Sequence, residues 1–541
     1  MSADRQLPQR RRRRDVLGLA GGGIAGLALG PSLSLAKTAE PKRGGTLTLL
    51  VEPEPTILVT LTNSADPSLL VSAKVTEGLL TYDFDLNPKP QLATSWSVNA
   101  DSTELAFTLR GGVTWHDGRD FTADDVAFSI LLLKAAHPRG RATFANVAEV
   151  LTPDRLTAVI VLSKPAPYLL HALAGCESPI VPKHIYEGTE AATNPKGNAP
   201  VGTGPFVFKE WVRGRHIIYE RNPKYWDKPK PYVDRLVVRF IPDVAARLSA
   251  IETGDIDLAP SAPVPLSELD RLRRNPELCF ETNGYQYSNQ IVRLEFNLDH
   301  PILKQLKVRQ AIAHAIDRKA VIDSAWYGYG EVAHGPISPA LKRFHSNDIS
   351  TYPFDPQQSE RLLDEAGLPR GPDGIRLRLS HDYVPAGDGY RRTAEYVKRA
   401  LAEVGIDITI RSQDFSAYIA RVYTDRDFAF TTSRMNNMFD PTVGVQRVFW
   451  SKNFRKGVPF SNGSHYQNPE VDRLLEAAAI EPDPGKRFRY FDDFQRIIAT
   501  ELPDLTLLAP EQITICNKRV VDHTVSADGI SGNLADAYIQ R

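Results

Sequence analysis

Residues 92–131, LATSWSVNADSTELAFTLRGGVTWHDGRDFTADDVAFSIL, constrain the fold more than any other part of this chain. Leu105-Ala106-Phe107-Thr108-Leu109 alternates large apolar with small or polar side chains, the period of a half-buried strand. Gly111-Gly112 and Asp117-Gly118 punctuate a second short strand over 113–116. Thr122-Ala123-Asp124-Asp125 then reads as a helix start, with Thr122 as N-cap and an acidic side chain three residues on. The helix is expected over 121–136, ending before Pro138-Arg139-Gly140. Strand, glycine turn, strand, Asp-Gly turn and capped helix make one compact α/β unit.

The same interleaving continues along the chain. Strands are expected at 46–51, 156–162, 235–241, 256–258, 293–297, 406–410, 427–431 and 505–508. Helices are expected at 169–174, 242–252, 306–327, 391–404, 471–479 and 486–500. A further helix begins at Asp355-Pro356, with cap and proline in the favoured order, and stops at Gly367. Such alternation predicts sheet-containing lobes, and 541 residues should divide into at least two domains.

The first 36 residues look like an address rather than structure. Five arginines, Arg10 to Arg14, precede a Gly/Ala/Leu-rich run that ends at Ser34-Leu35-Ala36. A basic region, an apolar region and small residues at a cleavage point make a signal peptide. Arg13-Arg14-Asp15-Val16-Leu17 resembles the twin-arginine export motif. Cleavage is expected near Ala36, releasing the mature chain into a periplasm. The apolar run is short and glycine-rich for a spanning helix, which needs about 20 apolar residues. Net charge is zero for the whole chain, and the segment 1–36 holds six Arg and two Asp. The remainder therefore carries −4, with no basic field to attract nucleic acid.

Residues that could carry chemistry are sparse. Gly21-Gly22-Gly23-Ile24-Ala25-Gly26 has dinucleotide-turn spacing but lies in the export segment with no strand before it. His116-Asp117 belongs to a hairpin turn. Asp425 and Asp427 could in principle do acid–base work, yet their surroundings do not single them out. The twelve histidines lack zinc-site spacing. Cys176, Cys279 and Cys516 form no metal spacing; one pair could bridge, or all three could be buried thiols, and sequence does not choose. No cofactor or metal is called for, and no enzyme is expected.

Several segments together carry a family resemblance over most of the chain from Arg43. They are the 92–131 unit; Gly202-Thr203-Gly204-Pro205-Phe206 with Asn222-Pro223-Lys224-Tyr225-Trp226; Val308-Arg309-Gln310-Ala311-Ile312 with Ala315-Ile316-Asp317-Arg318; and Tyr352-Pro353-Phe354-Asp355-Pro356. The chain resembles the family 5 solute-binding proteins of ABC importers for peptides and nickel. The resemblance implies an α/β, two-lobe periplasmic binding protein fold, class II and cluster C-like, with an extra subdomain in the first lobe. The first lobe would take 43–75, 202–288 and 511–541, the extra subdomain 76–201 and the second lobe 289–510. The function implied is capture of a peptide or other small organic solute between the lobes and delivery to a membrane permease with its ATPases, by a monomer. A nickel or metal-chelate carrier of the same family is an alternative, and an exported hydrolase a more distant one.

The resemblance also nominates contacts. Peptide-binding relatives use a Trp-x-x-Asp-x-x-Asp-Pro pattern whose aspartate pairs with the peptide amino group. Here Asp440-Pro441 marks the place, but the aspartate position is Asn437 and the tryptophan position Arg434. An ammonium group would find no counter-charge on Asn437. The arginine that receives a dipeptide carboxylate in relatives falls at Val384, beside Tyr383. Both ends of a dipeptide clamp thus look altered, and Arg434 could instead hold a carboxylate, sulfonate or phosphate. The alternative is that Arg434 points to solvent. Asn436 and Asn437 are expected to hydrogen-bond the solute, with Asp440 beside them and Tyr383 as an aromatic wall. Glu177 and Glu54 would serve as acceptors or cation partners; their bland alternatives are a helix-end residue and a solvated acidic turn.

Overall fold

Three sheets organise the computed structural model, which describes residues 41–540. The export segment lies outside the described residues. A seven-stranded mixed sheet gathers Thr46–Leu50, Phe206–Val212, His216–Arg221, Arg235–Arg239, Leu258–Ala259, Leu278–Glu281 and Thr514–Asn517. Thr46–Leu50 lies parallel to both Arg235–Arg239 and Leu258–Ala259. Chain segments far apart in sequence therefore share one core, with Leu47, Leu49, Phe206, Leu236 and Val238 all buried.

A six-stranded sheet is the second. Its order is Gly330–Val332, Asp504–Pro510, Gln290–Phe296, Phe430–Asn436, Leu377–Tyr383 and Ile406–Arg411. Helices such as Asp388–Glu403 pack on it through Ala394, Val397 and Leu401. The third is a four-stranded antiparallel sheet in the order Ala93–Val98, Glu104–Leu109, Thr157–Leu162, Val147–Asp154.

Local signals hold where they are complete. Helix Ala123–Ala136 begins after Thr122, whose amide donates to Asp125 Oδ2 at 2.9 Å. Asp355 accepts from Gln358 N at 2.9 Å and starts Pro356–Glu365. Four expectations need correction. Residues 113–116 form no strand; one bridge, Thr114 to Asp120, closes a turn instead. Residues 169–174 shrink to a single turn, Leu169–His171, squeezed between Pro167 and Gly175. The helix over 306–327 is two, Leu306–His314 and Arg318–Ala325, because Asp317 caps the second one from Lys319 N and Ala320 N. The strand expected at 427–431 runs instead from Phe430 to Asn436, paired residue for residue with Gln290–Phe296.

Tyr82, Tyr287 and Phe439 form an aromatic chain, with ring centres 5.5 Å apart in the first pair and 4.7 Å in the second. No helix among the described residues is long and apolar enough to cross a membrane.

Candidate functional site

The longer strand changes where the nominated residues stand. Along Phe430–Asn436, Arg434 and Asn436 fall on one face and the buried Met435 on the other, as strand alternation requires. Asn436 sits opposite Gln290 and accepts from its Nε2 at 3.0 Å. Tyr390 donates to Gln290 Oε1 at 3.3 Å. Burial pushes the Tyr390 hydroxyl up to about 12, with Arg434 opposing that rise and Asp66 adding to it.

Asp66 is the residue that sequence reasoning missed. It opens helix Asp66–Ser72, which follows the first strand of the seven-stranded sheet, and its Oδ2 lies 3.8 Å from Arg434 Nη1. Its Asp-Pro dipeptide is the same helix-start signal as Asp355-Pro356. The cap position here is Ala65, however, so the carboxylate remains available to the other lobe. Arg434, Asp66, Asn436, Gln290 and Tyr390 thus form one polar group that joins helix Asp66–Ser72 to the six-stranded sheet.

Asn437 lies behind this group and is fully buried. Its amide donates to Asn289 O at 2.8 Å, and its Oδ1 accepts from Ser338 N. Its Nδ2 has no hydrogen-bond partner. Gly444 packs on the Asn437 carbonyl so closely that an added Cβ would come within 2.1 Å of it. That contact fixes the turn after the strand.

Three nominated carboxylates are already committed. Asp440 is fully buried; Arg487 Nη2 and Nη1 donate to its two oxygens at 2.6 and 2.7 Å, and Thr442 N donates at 2.9 Å. Here it caps the turn and pairs with a buried guanidinium. Glu177 is likewise paired with Arg139, whose Nε donates to it at 2.8 Å. That guanidinium holds the Glu177 carboxyl below its ordinary value against the desolvation of burial. Glu54 accepts from Trp211 Nε1 at 2.8 Å and Gly214 N at 2.9 Å, pinning the hairpin between Phe206–Val212 and His216–Arg221. It belongs to a different group from Arg434. Tyr383 is buried in the core against the six-stranded sheet and donates to Ser412 Oγ at 2.8 Å.

The three cysteines also resolve. Cys279 and Cys516 face each other on neighbouring strands and are bonded, while Cys176 is a buried thiol. Contrary to the spacing argument, Cys279, Cys516 and His523 converge within 4.8 Å of one another, a convergence that linear spacing could not show.

Comparison with known proteins places this geometry among relatives. The model of the bacterial extracellular solute-binding proteins, family 5, matches residues 87–457. A protein of Brucella ovis named as an ABC transporter peptide-binding protein is 30% identical over 82% of this chain and 83% of its own length. The solved substrate-binding protein CtaP of Listeria monocytogenes shares the fold with a TM-score of 0.81, at 24% identity over 92% of this chain and all of that one. The binding protein AgaA of A. tumefaciens R10, solved with agropinic acid, is 27% identical, with a TM-score of 0.75 over 92% of this chain and 99% of that one.

Proposed function

This chain belongs to the bacterial extracellular solute-binding proteins, family 5, and from that premise we propose that its solute is an anionic or modified small organic molecule. As a member of the family it is the solute-binding component of an ABC importer. In our reading the first lobe takes 43–75, 202–288 and 511–541, the extra subdomain 76–201 and the second lobe 289–510. The solute is held where these lobes meet and passed to a permease and its ATPases. The protein works as a monomer in the periplasm, after twin-arginine export and cleavage near Ala36.

One observation carries the choice of an anion. The stretch 434–441 offers a solute no uncommitted negative charge: Asn437 is neutral and Asp440 is closed on Arg487. Its remaining charge is the half-buried guanidinium of Arg434. Glu177 and Glu54 are committed elsewhere as well. An ammonium group would be left poorly compensated at Asn437, whereas a carboxylate, sulfonate or phosphate gains a charge-assisted contact at Arg434. Asn436, half-buried on the same strand face as Arg434, supplies a further polar contact for its substituents. That a relative at 27% identity is solved with an acid supports this direction.

The test is native mass spectrometry of protein as purified, followed by titration of the co-purifying solute. An acidic solute is expected, returned chemically unchanged, and bound roughly tenfold or more weakly by Arg434→Ala. A basic solute, or unchanged affinity in that variant, removes the anion reading. A solute that the protein consumes would favour a hydrolase, and stoichiometric nickel in the cleft a metal-chelate carrier.

A further inference from the structure

The disulfide carries a neighbour that bonding between two sulfurs does not explain. Strands Leu278–Glu281 and Thr514–Asn517 run antiparallel and set Cys279 directly opposite Cys516, with their Cα atoms 4.9 Å apart. Beyond Val520–Val521 the chain folds His523 back onto the same point. One ligand atom from each of the three residues lies within 4.8 Å of the other two.

The surroundings suit a cation. His523 Nδ1 is hydrogen-bonded to Thr524 Oγ1 at 2.8 Å, the kind of outer partner that fixes a ligating imidazole. Cys279 and His523 are half-buried, so an ion has a way in, and Cys516 is buried.

We propose that, with the disulfide reduced, Cys279, Cys516 and His523 form a binding site for a soft or borderline metal ion, Zn(II) or Cu(I). Two thiolates and an imidazole are the donor set these ions select. Tetrahedral zinc, with Zn–S of about 2.3 Å, needs the sulfurs a little under about 4 Å apart. Rotation of the two side chains about their Cα–Cβ bonds supplies that once the S–S bond is gone. Metal and disulfide exclude each other: the reduced chain holds the ion, and an oxidising compartment closes the bond. In closing, Cys279 and Cys516 lose two electrons to an external disulfide, which leaves as two thiols, and the ion is released.

The full chain, reduced with a phosphine and freed of metal by a chelator, is titrated with zinc chloride against a chromophoric competitor. One zinc per reduced chain is expected, and less than a tenth of that for the oxidised chain. His523→Ala retains both cysteines and the disulfide, and should bind zinc at least tenfold more weakly. Cys279→Ser should abolish tight binding; should that variant fail to fold, His523→Ala decides. The proposal is overturned by equal zinc binding in reduced and oxidised protein, or by unchanged affinity in His523→Ala. It is equally overturned if thiol titration shows that the bond cannot be reduced while the chain stays folded.

Discussion

Asp66 Oδ2 lies 3.8 Å from Arg434 Nη1, joining the helix that follows the first strand of the seven-stranded sheet to a central strand of the six-stranded one. Asp66 is 60% exposed and Arg434 33%, so this pair adds little to stability, about 0–1 kcal/mol. Its consequence is competition: the carboxylate occupies the guanidinium that an acidic solute would use. Asp66→Asn is therefore expected to leave the melting temperature within about 2 °C of the parent. It should also bind the co-purifying acid several-fold more tightly by calorimetry. Weaker binding would mean that Asp66 itself contacts the solute.

The Asp440–Arg487 pair behaves oppositely, since both partners are buried. Asp440→Asn strands a guanidinium that is otherwise satisfied by Ala478 O and Thr442 Oγ1 alone. Loss of one partner from a buried ion pair costs about 3–5 kcal/mol. The urea midpoint should fall accordingly. A variant with normal stability and lost solute affinity would return Asp440 to the list of contacts.

Glu77 is the hub of the family's glycine motif. It accepts from Tyr225 OH at 2.8 Å, Thr203 Oγ1 at 2.8 Å and Trp226 Nε1 at 3.0 Å. Glu77→Ala leaves two buried donors and a half-buried one unpaired, at about 1–3 kcal/mol for each buried donor. Chemical denaturation should show at least about 3 kcal/mol lost, against about 1 kcal/mol for Thr203→Val. Equal losses would show that the donors relax onto other acceptors.

His381 gives the protein an acid-sensitive point. It is fully buried, its ring lies 4.4 Å from that of Phe430, and burial pushes it down to about 3. Between the ordinary value of 6.5 and that lower value, the unfolded chain takes up a proton that the folded one refuses. Stability from this group is complete above pH 6.5 and is lost as pH falls, by up to about 1.4 kcal/mol per unit. Denaturation midpoints measured from pH 7 to 4 should fall less steeply in His381→Gln. Identical slopes in the two proteins would sink this assignment.

Much of the fold was legible because its signals are short-range. Thr122 with Asp125, Asp355 with Pro356, and the alternation of 105–109 act within a turn or a strand, and the structure keeps them. Asp317 was equally local, but an apolar periodicity running through it concealed the break. The family motifs were visible as glycines and aromatics, although nothing in their order revealed that Glu77 is where they meet.

The sequence by itself determined the α/β alternation and the family. Only the tertiary structure decided that 430–436 is a strand, because its polar residues acquire that conformation by pairing with 290–296. It likewise decided that Asp440 and Glu177 are spent on Arg487 and Arg139, that Asp66 reaches Arg434, and that Cys516 and His523 meet Cys279. Backbone preferences act over a few residues, whereas these partners lie tens to hundreds of residues apart. Sheet register and lobe packing bring them together, and burial then makes each charge find its counterpart.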